Sequence, residues 1–403
     1  MKLSNSIYFI DQTSEGEHHM VFNAALVEIW SKIYPENNIK YWGVHSSQIA
    51  VNKLLSKQVQ QKVQYNIIHY IPSPSKYKLI KLFFFILKEL KRYLNFCTIF
   101  IKSSKQDIIC LSITTFSSFF VFKLLSYFFN RDIYTVLHGD IDFIYKATNR
   151  YQKINALTYK MIFLLKNKQF KYIVLNKICK EKLVKDNYLN FDEVIEMNHP
   201  YFFKIYTTKQ INFNKPIIFA HNGSMEVERK NSHYIFFIAK QLKKSVIQND
   251  ITFKSIGLAN KQIDAYKNEF VELELGTNNG ILPPYLPRET YEIELIKVHF
   301  LLFFFPINEY IFRASGAVID SIAFEKPIIA LRHPFFENLF YQGGDIGYIC
   351  DTLEEMIDLI KNIYLNKNDH FERYQTQVYN LSKLKIKFSI ETIAKEVSLK
   401  ILN

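Results

Sequence analysis

The sequence has few cysteines and no arrangement of them that suits a metal or a disulfide framework. Four cysteines are scattered over 403 residues, with no CxxC pair and no histidine at ligand spacing: Cys97, Cys110, Cys179 and Cys350. This pattern excludes a structural zinc site and a small disulfide-stapled fold. It indicates the reduced thiols of a cytosolic protein.

Long apolar runs are also absent. No segment reaches the roughly 18 uninterrupted apolar residues that cross a bilayer. The N-terminus, MKLSNSIYFIDQ, lacks the basic-then-apolar pattern of a signal peptide. The longest candidate, residues 116–130, is short and is interrupted by Lys123, so it predicts a buried helix instead.

Acidic residues are scarce in the first half of the chain. Residues 1–200 hold 27 Lys and Arg against 15 Asp and Glu, whereas residues 201–403 are nearly balanced at 24 against 23. Residues 76–94, KYKLIKLFFFILKELKRYL, predict an amphipathic helix that could lie on an anionic membrane surface. A core helix with solvated lysines is the alternative. Nucleic acid is disfavoured, because there is no RNP-like motif, zinc finger or arginine-rich helix.

Apolar runs alternate with helical segments along both halves, which predicts doubly wound α/β structure. A length of 403 residues suits two domains, and we place them at residues 1–205 and 206–403, with a polar connection at 201–215. Strands of the first half are expected at residues 7–10, 65–71, 108–113, 133–138 and 172–176. Those of the second half are expected at residues 217–220, 251–257, 300–305, 327–330 and 346–350.

Residues 299–330, HFLLFFFPINEYIFRASGAVIDSIAFEKPIIA, carry the most informative pattern. A buried strand leads through Ser315-Gly316 into a predicted helix at residues 316–325 and then into a second strand. A helix N-terminus presents unpaired N–H groups and a positive dipole end, so it suits a phosphate. Asp320 lies on the same helical face, where it could accept from a ribose diol. An ordinary strand–helix–strand unit, with Ser315 as the cap, explains the residues equally well.

The segment after the strand at residues 217–220 reads His221-Asn222-Gly223-Ser224 and leads to Arg229-Lys230. In a parallel sheet, ligands bind at the carboxyl ends of the strands. We therefore predict a glycine turn at Gly223, with Arg229 and Lys230 neutralising a departing diphosphate. A solvated surface turn is the alternative.

In the first half, His138-Gly139-Asp140 ends a predicted strand. A histidine titrates near neutral pH, and an adjacent acid can act as a base or fix its tautomer. His138 and Asp140 are therefore the candidate catalytic residues, although a structural role for a strand-end histidine is common. Asp11, Glu15 and Glu17, after the first strand, are weaker candidates for activating an acceptor.

Taken together, these segments resemble a glycosyltransferase of the GT-B fold, similar to the family-four-like enzymes that build bacterial polysaccharides. The resemblance is strongest in the donor-binding region, at Tyr310, Arg313, Ser315-Gly316, Asp320 and Lys326-Pro327. It implies two Rossmann-like domains facing a cleft, with the last helix packing back on the N-terminal domain. It also implies a nucleotide-sugar donor in the C-terminal domain, an acceptor in the N-terminal one, and no catalytic metal or separate cofactor.

Individual residues of this chain match the family pattern at some positions and differ from it at others. Gly223 and Lys230 match the family's glycine turn and diphosphate-binding lysine, His138 matches a histidine near the sugar, and Asp320 matches the second acid of a Glu-x7-Glu pattern. The first acid of that pattern falls at Phe312, and the usual arginine after the glycine turn falls at Ser224. We expect Arg229 or Arg313 to compensate.

A second sequence pattern is typical of a different glycosyltransferase fold. Asp140-Ile141-Asp142 is a DxD tripeptide, which holds a metal in the other major glycosyltransferase fold. Because that fold has a single domain, we favour the two-domain interpretation.

The predicted function is transfer of a sugar from a nucleotide sugar to a lipid-linked or growing surface glycan, such as capsule, lipopolysaccharide or exopolysaccharide. The predicted location is the cytoplasmic face of the cell membrane, with anionic lipid as a partner. Two alternatives remain: a GT-B-fold sugar-nucleotide epimerase, and a non-catalytic membrane-associated assembly protein with a degenerate nucleotide site.

Overall fold

The structure is a computed structural model of the full chain. It describes residues 5–16, 19–69, 77–203, 213, 216–243, 250–259, 261–276 and 286–402. The chain divides into two compact units. The first comprises Met1–Phe202, Phe312–Ala314 and Phe388–Asn403, and the second comprises Phe203–Ile311 and Ser315–Lys387.

A seven-stranded parallel sheet forms the centre of the first unit, in the order β3-β2-β1-β4-β5-β6-β7. Its strands are β1 (Ser6–Asp11), β2 (Asn38–Gly43), β3 (Val63–Ile67), β4 (Ile108–Ile113), β5 (Asp132–Val136), β6 (Phe170–Val174) and β7 (Val194–Glu196). Phe9 of β1 pairs with Tyr41 on one side and with Cys110 on the other. The strand order reverses between β1 and β4, which is where ligands bind in such sheets.

Helices connect these strands and cover both faces of the sheet, as parallel strands require. They are α1 (Met20–Ile33), α2 (His45–Asn52), α3 (Lys57–Gln60), α4 (Lys78–Lys102), α5 (Phe116–Leu125), α6 (Phe143–Lys146), α7 (Arg150–Leu164) and α8 (Lys177–Lys185). A short 3-10 turn, Gly139–Asp142, follows β5. Apolar side chains of β1, β2 and α1 form the core of this unit.

The second unit contains a six-stranded sheet in the order β10-β9-β8-β11-β12-β13. Every pairing is parallel. Its strands are β8 (Ile217–Met225), β9 (Ile251–Ala259), β10 (Val271–Leu275), β11 (Phe300–Phe303), β12 (Ile328–Leu331) and β13 (Gly347–Cys350). In order of appearance this is 3-2-1-4-5-6, the order of dinucleotide-binding folds, with the reversal between β8 and β11.

The helices of the second unit are α9 (Val227–Lys230), α10 (Tyr234–Lys243), α11 (Arg288–Lys297), α12 (Gly316–Ala323), α13 (Pro334–Gly343), α14 (Leu353–Leu365) and α15 (Lys367–Lys387). The last helix, α16 (Ile390–Leu402), belongs to the first unit and packs on α1. Its buried residues Ile390, Ile393, Ala394 and Val397 join the core around α1 and β1.

The α/β class predicted from the alternating pattern is confirmed, and several bounds agree closely. Strands β4 and β11 begin at the residues where the apolar pattern places them. One prediction was wrong: residues 221–224 do not form a turn after a short strand, because β8 continues through them to Met225. Their pairing with Ser255–Leu258 of β9 extends the strand.

Candidate functional site

The reversal of strand order in the second unit brings two segments to one edge of the sheet. The segment after β8 leads into α9, and the segment after β11 leads into α12. Both were singled out in the sequence as phosphate-binding candidates, and the topology makes them neighbours. A crevice at this position is the usual ligand site of a doubly wound sheet.

Gly223 lies within β8 and has a left-handed backbone, with φ of 85°. A β-carbon at this position would lie 3.3 Å from the Ala317 Cβ and 3.6 Å from the Lys230 Nζ. Glycine therefore allows β8 to lie closely beneath the first turn of α12. This contact joins the β8 segment, the lysine and the donor helix in one place.

Lys230 ends the short helix α9, and its side chain is almost fully buried. Its Nζ donates to the backbone oxygen of Ser224 at 2.9 Å and to the Ser224 Oγ at 3.2 Å. Burial lowers the pKa of Lys230 to about 8, although the charge of Glu226 acts in the opposite direction. A buried cation of this kind gains most from an anionic ligand, since little water competes for it.

Glu226 and Arg229 complete the charges around this lysine. Ser224 Oγ donates to Glu226 Oε1 at 2.6 Å, and the Arg229 guanidinium pairs with Oε2 of the same carboxylate. Burial raises the pKa of Glu226, but the Ser224 bond and the two cations outweigh it and leave the pKa lowered. Arg229 is half-exposed, so it lies at the rim of the site while Lys230 lies inside it.

Helix α12 begins at the same edge. Ser315 is its N-cap, and the Ser315 Oγ accepts from the Val318 N–H at 3.4 Å. Among the described residues, no atom lies within 4 Å of the point where a β-carbon on Gly316 would stand. Gly316 therefore faces open space at the positive end of a helix, the place where a phosphate binds.

Asp320 is buried one turn further along α12. Its Oδ1 accepts from the Arg288 Nη2 at 3.0 Å, and its Oδ2 accepts from the Tyr291 hydroxyl at 2.8 Å. The Tyr291 oxygen accepts in turn from the Asn222 Nδ2 at 3.1 Å, and the same Nδ2 donates to the Ala317 backbone oxygen at 2.9 Å. These bonds fasten α12 to α11 and β8. The ribose-binding role of Asp320 stays a prediction.

The long connection from β11 to α12 is also held in place. Asn231 Nδ2 donates to the Phe304 backbone oxygen at 3.1 Å, and the His333 ring bonds the Glu309 backbone oxygen at 2.7 Å. Tyr310, in a left-handed conformation with φ of 55°, stacks on Phe305 with ring centroids 3.8 Å apart. The start of α12 thus has a defined position relative to β8.

His138 lies at the corresponding edge of the first unit, just after β5. Its Nε2 lies 2.8 Å from the backbone oxygen of Ser112, which can only accept, so Nε2 carries the proton. In the singly protonated tautomer with the proton on Nε2, Nδ1 is the accepting nitrogen. Its neighbours include the rings of Phe22 and His19. Asp140 lies in the 3-10 turn that follows, and only its backbone is described.

Arg313 lies in the first unit and packs on Gly139, the residue after His138. Its guanidinium forms an ion pair with Asp142, which is buried and also lies 3.5 Å from Lys146 Nζ. Phe312 stacks on Tyr145 with centroids 4.8 Å apart. Asp142, the second acid of the DxD tripeptide, is therefore paired with two cationic side chains. The diphosphate-binding role of Arg313 stays a prediction.

Asp11 is fully buried at the end of β1. Its carboxylate accepts from the Ser14 N–H at 3.1 Å, the Asn23 Nδ2 at 2.7 Å and the Ser47 hydroxyl at 3.2 Å. Burial raises the pKa of Asp11 despite these bonds. Its contacts shape the loop after β1. Glu15 is exposed on that loop, and Glu17 lies outside the described residues.

The structure therefore brings together Gly223, Arg229, Lys230, Ser315 and Gly316 in the second unit, and His138 with Arg313 in the first. Sequence reasoning missed Asn222, Tyr291 and Arg288, which fasten the donor helix. Asn222 lies within the segment that was singled out, but it was given no role there. Tyr291 and Arg288 lie on a helix with no recognisable motif, and only the fold reveals them.

Within the described ranges, no group of three or more His, Cys, Asp and Glu side chains is arranged to hold a metal ion. Nor does any helix in these ranges have the length and apolarity needed to cross a bilayer.

No family model matches the sequence, and no curated protein sequence matches it. Solved structures do match. The apo form of a lipopolysaccharide outer core galactosyltransferase, WaaB, aligns with 98% of this chain and 99% of its own, with a TM-score of 0.59 and 13% identity. Sucrose-phosphate synthase from Thermosynechococcus elongatus aligns with 98% of each chain, with a TM-score of 0.64 and 12% identity.

A UDP-GlcNAc 2-epimerase from Neisseria meningitidis, bound to UDP-GlcNAc, is also similar. It aligns with 98% of this chain and 99% of its own, with a TM-score of 0.54 and 13% identity. Because the sequence identities are this low, these similarities show the fold alone. The chain, with its two parallel α/β sheets, has the GT-B fold that sugar-nucleotide transferases and epimerases share.

Proposed function

We propose that the protein transfers a sugar from a nucleotide-sugar donor to a lipid-linked or growing surface glycan. The observation that carries this proposal is the meeting of Gly223, Lys230 and the first turn of α12 where the strand order reverses. A buried cation and the positive end of a helix dipole both stabilise the negative charge of a diphosphate.

In the proposed reaction, the nucleoside diphosphate is the leaving group. The bond between the anomeric carbon and the diphosphate oxygen breaks, and negative charge builds on that oxygen. The acceptor hydroxyl oxygen bonds the same carbon, and its proton passes to His138 or to the departing diphosphate. Lys230, Arg229 and the free N–H groups at Ser315-Gly316 offset that charge, so no metal is required. Arg313 is proposed as a further contact of the diphosphate.

His138, with Asp140, is proposed to act beside the reacting sugar. The bond from Nε2 to the Ser112 oxygen fixes the ring so that Nδ1 is the accepting nitrogen. In that tautomer the ring can orient a sugar hydroxyl or take a proton from it. Asp320 is proposed to contact the ribose diol through oxygens that also accept from Arg288 and Tyr291, since a carboxylate has about four acceptor sites.

The proposed acceptor belongs to the pathways of capsule, lipopolysaccharide or exopolysaccharide. Two observations support this: the excess of basic residues in the first half of the chain and the similarity to an outer core galactosyltransferase. A lipid-linked acceptor places the enzyme on the cytoplasmic face of the cell membrane as a peripheral protein.

A thermal-shift screen with UDP, GDP, CMP and ADP tests the donor assignment. A nucleotide that binds only the folded state raises the melting temperature in proportion to the logarithm of its concentration. We expect one of the four to stabilise the protein clearly more than the others. Equal and negligible shifts from all four would contradict the proposal and favour an assembly protein, which the substitutions at Phe312 and Ser224 keep open.

The second candidate is a sugar-nucleotide epimerase, because an epimerase with bound UDP-GlcNAc shares the fold. Incubation with UDP-GlcNAc in the absence of any acceptor separates the two functions. An epimerase converts the sugar at its second carbon under these conditions. A transferase leaves it unchanged and releases the nucleotide only when acceptor is added.

A further inference from the structure

Three helices of the first unit form one layer on a single face of its sheet. Helix α5 packs between α4 and α7. Phe122 of α5 contacts Phe96 of α4 with ring centroids 4.8 Å apart, and Phe119 of α5 contacts Tyr159 of α7 with centroids 5.9 Å apart. The inner sides of the three helices are thus occupied, and their outer sides form one surface, which we call the α4–α5–α7 face.

The outer side of α4 is an exposed apolar stripe. Its residues recur every three, four or seven positions, so they lie along one side of the helix. Leu79 is 81% exposed and Ile101 is 73% exposed, at opposite ends of a helix of 25 residues. The stripe consists of Leu79, Phe83, Ile86, Leu90, Leu94 and Ile101.

Helices α5 and α7 extend this apolar surface. On α7 the exposed residues are spaced by three and four positions, and Leu164 at its end is 77% exposed. They are Ile154, Leu157, Met161 and Leu164. On α5, Leu124 is exposed, and Phe128 just beyond the helix is 81% exposed. A soluble surface rarely exposes so much contiguous apolar area without a partner.

The charges on the same three helices are almost all positive. Together α4, α5 and α7 contain ten Lys and Arg residues and one acid, Glu89. Lys123 of α5 is buried over the Phe170 ring, at 3.8 Å from its centroid, so it does not contribute to the surface. The exposed or half-exposed cations on α4 and α7 include Lys81, Lys88, Lys91, Lys153 and Lys160.

Glu89, the one acid, is buried and fixes α4 in place. Its Oε2 accepts from the hydroxyls of Thr115 at 2.8 Å, Ser117 at 2.6 Å and Ser118 at 2.7 Å, all at the start of α5. Burial raises the pKa of Glu89, but these bonds and the charge of Arg92 outweigh it, so the pKa is lowered. The acid therefore holds α4 against α5 instead of reducing the positive charge of the surface.

We infer that the α4–α5–α7 face docks on an anionic lipid bilayer, with both helical stripes below the headgroups and the lysines among them. An apolar surface with cationic borders matches that environment in both its parts. A second copy of the chain would bring like charges together, and a nucleic acid would leave the apolar stripes unused. The membrane association belongs to the proposed function, on which this inference rests, and the α4–α5–α7 face gives it a location on the first unit. The inference does not depend on donor binding.

Vesicle sedimentation with the full chain tests the inference. Vesicles of phosphatidylcholine alone should bind weakly, and vesicles containing 30% phosphatidylglycerol should bind strongly. The double variant Lys153→Glu with Lys160→Glu on α7 should weaken binding roughly tenfold per reversed lysine. Lys240→Glu with Lys361→Glu, which reverses two exposed charges on α10 and α14 of the other unit, is the matched control and should bind like the wild type.

A tryptophan probe shows whether this face enters the bilayer. Both native tryptophans, Trp30 and Trp42, are buried. The fluorescence of Leu157→Trp should be quenched by vesicles with brominated acyl chains, whereas Leu365→Trp on α14 should not be quenched. Thermal shifts with the nucleotides should be the same in both variants, so the donor proposal is tested separately.

Three results would overturn the inference. They are failure of the wild type to sediment with anionic vesicles, binding without quenching of Leu157→Trp, and a dimer in solution that the Leu157→Ser variant abolishes. The last would assign the face to a second copy of the chain.

Discussion

Lys230 is buried at the end of α9, and its charged form is disfavoured there, which lowers the pKa to about 8. An anionic diphosphate beside Nζ would raise that pKa again, because an opposite charge favours the ammonium form. At pH 8 the terminal phosphate of a nucleotide is already ionised, since its second pKa is about 6. Lys230 is therefore the group expected to respond to pH.

We predict that nucleotide binding takes up a proton near pH 8 and that affinity falls as pH rises above 8. The sign follows because the complex retains the proton at pH values where the free protein has lost it. Calorimetry at pH 8 in two buffers of different ionisation enthalpy measures the uptake. Lys230→Met should abolish it. Lys254→Met, which removes another lysine of the same unit, paired with Glu272 at 3.0 Å and Glu294 at 3.3 Å, should retain it.

Gly316 gives a test in which stability and binding move in opposite directions. Among the described residues, nothing lies near the position of an added β-carbon, so Gly316→Ala should fold normally. Alanine in place of glycine in a helix is worth up to roughly 1 kcal/mol of stability. The methyl group would nevertheless occupy the space assigned to the phosphate. We predict an unchanged or higher melting temperature and a nucleotide affinity lowered about tenfold. Undiminished affinity would count against a phosphate at this helix start.

The proposed contact between Asp320 and the ribose can be tested by changing the ligand and by mutating the residue. If its carboxylate accepts from the ribose, the wild type should bind the 2′-deoxynucleotide more weakly by roughly 1.5–3 kcal/mol, the range for hydrogen bonds to charged groups. Asp320→Asn should lose most of that discrimination. If Asp320 only fastens α12 through Arg288 and Tyr291, the variant should be less stable but should discriminate as the wild type does.

At the scale of single residues, the sequence singled out Lys230, Ser315 and Gly316 because charged loop residues and helix starts have local signatures. It singled out Gly223 as part of a turn, whereas Gly223 lies within β8. The meeting of these residues could not be read from the chain, since more than 80 residues separate Lys230 from Ser315. Arg313 and Asp142 show the same limit: their ion pair joins residues 171 positions apart.

Among the elements, α12 depends on a hydrogen-bond network that spans three segments. The Tyr291 hydroxyl donates to Asp320 and accepts from Asn222, whose Nδ2 also donates to the Ala317 backbone oxygen. This network links β8, α11 and the first turn of α12. It therefore sets the position of the helix start relative to Lys230.

We predict that Tyr291→Phe lowers the free energy of unfolding by about 1–3 kcal/mol, the cost of unsatisfied buried polar groups. It should also weaken nucleotide binding several-fold, although Tyr291 need not contact the ligand. Tyr374→Phe is the control, because Tyr374 is a buried tyrosine of the same unit packed on Phe300 and Phe213. A binding loss equal in both variants would mean that general destabilisation, not the position of α12, is responsible.

The sequence predicts elements well where their pattern is uniform. Strands β4 and β11 are mainly apolar runs and begin where they were expected. The strand β10, VELEL, was missed because its alternating glutamates suit an edge strand rather than the apolar run that was sought. The extension of β8 through Gly223 was missed because glycine and polar residues normally indicate a turn.

The whole molecule has two doubly wound units, and the last helix returns to the first of them. The alternation of apolar runs was enough to predict two α/β halves. The return of α16 was expected from the family resemblance and is not encoded by any local pattern. Its residues Ile393 and Val397 pack in the core around α1, more than 370 residues from the start of that helix.

We propose that the β8–α12 edge of the second unit holds the diphosphate of the donor. A crystal structure with the nucleoside diphosphate selected by the thermal-shift screen would show whether it does. We predict phosphate oxygens within hydrogen-bond distance of the backbone N–H of Gly316 and of the Lys230 Nζ. A nucleotide bound elsewhere on the chain, with this edge closed by side chains, would rule out the proposed donor site.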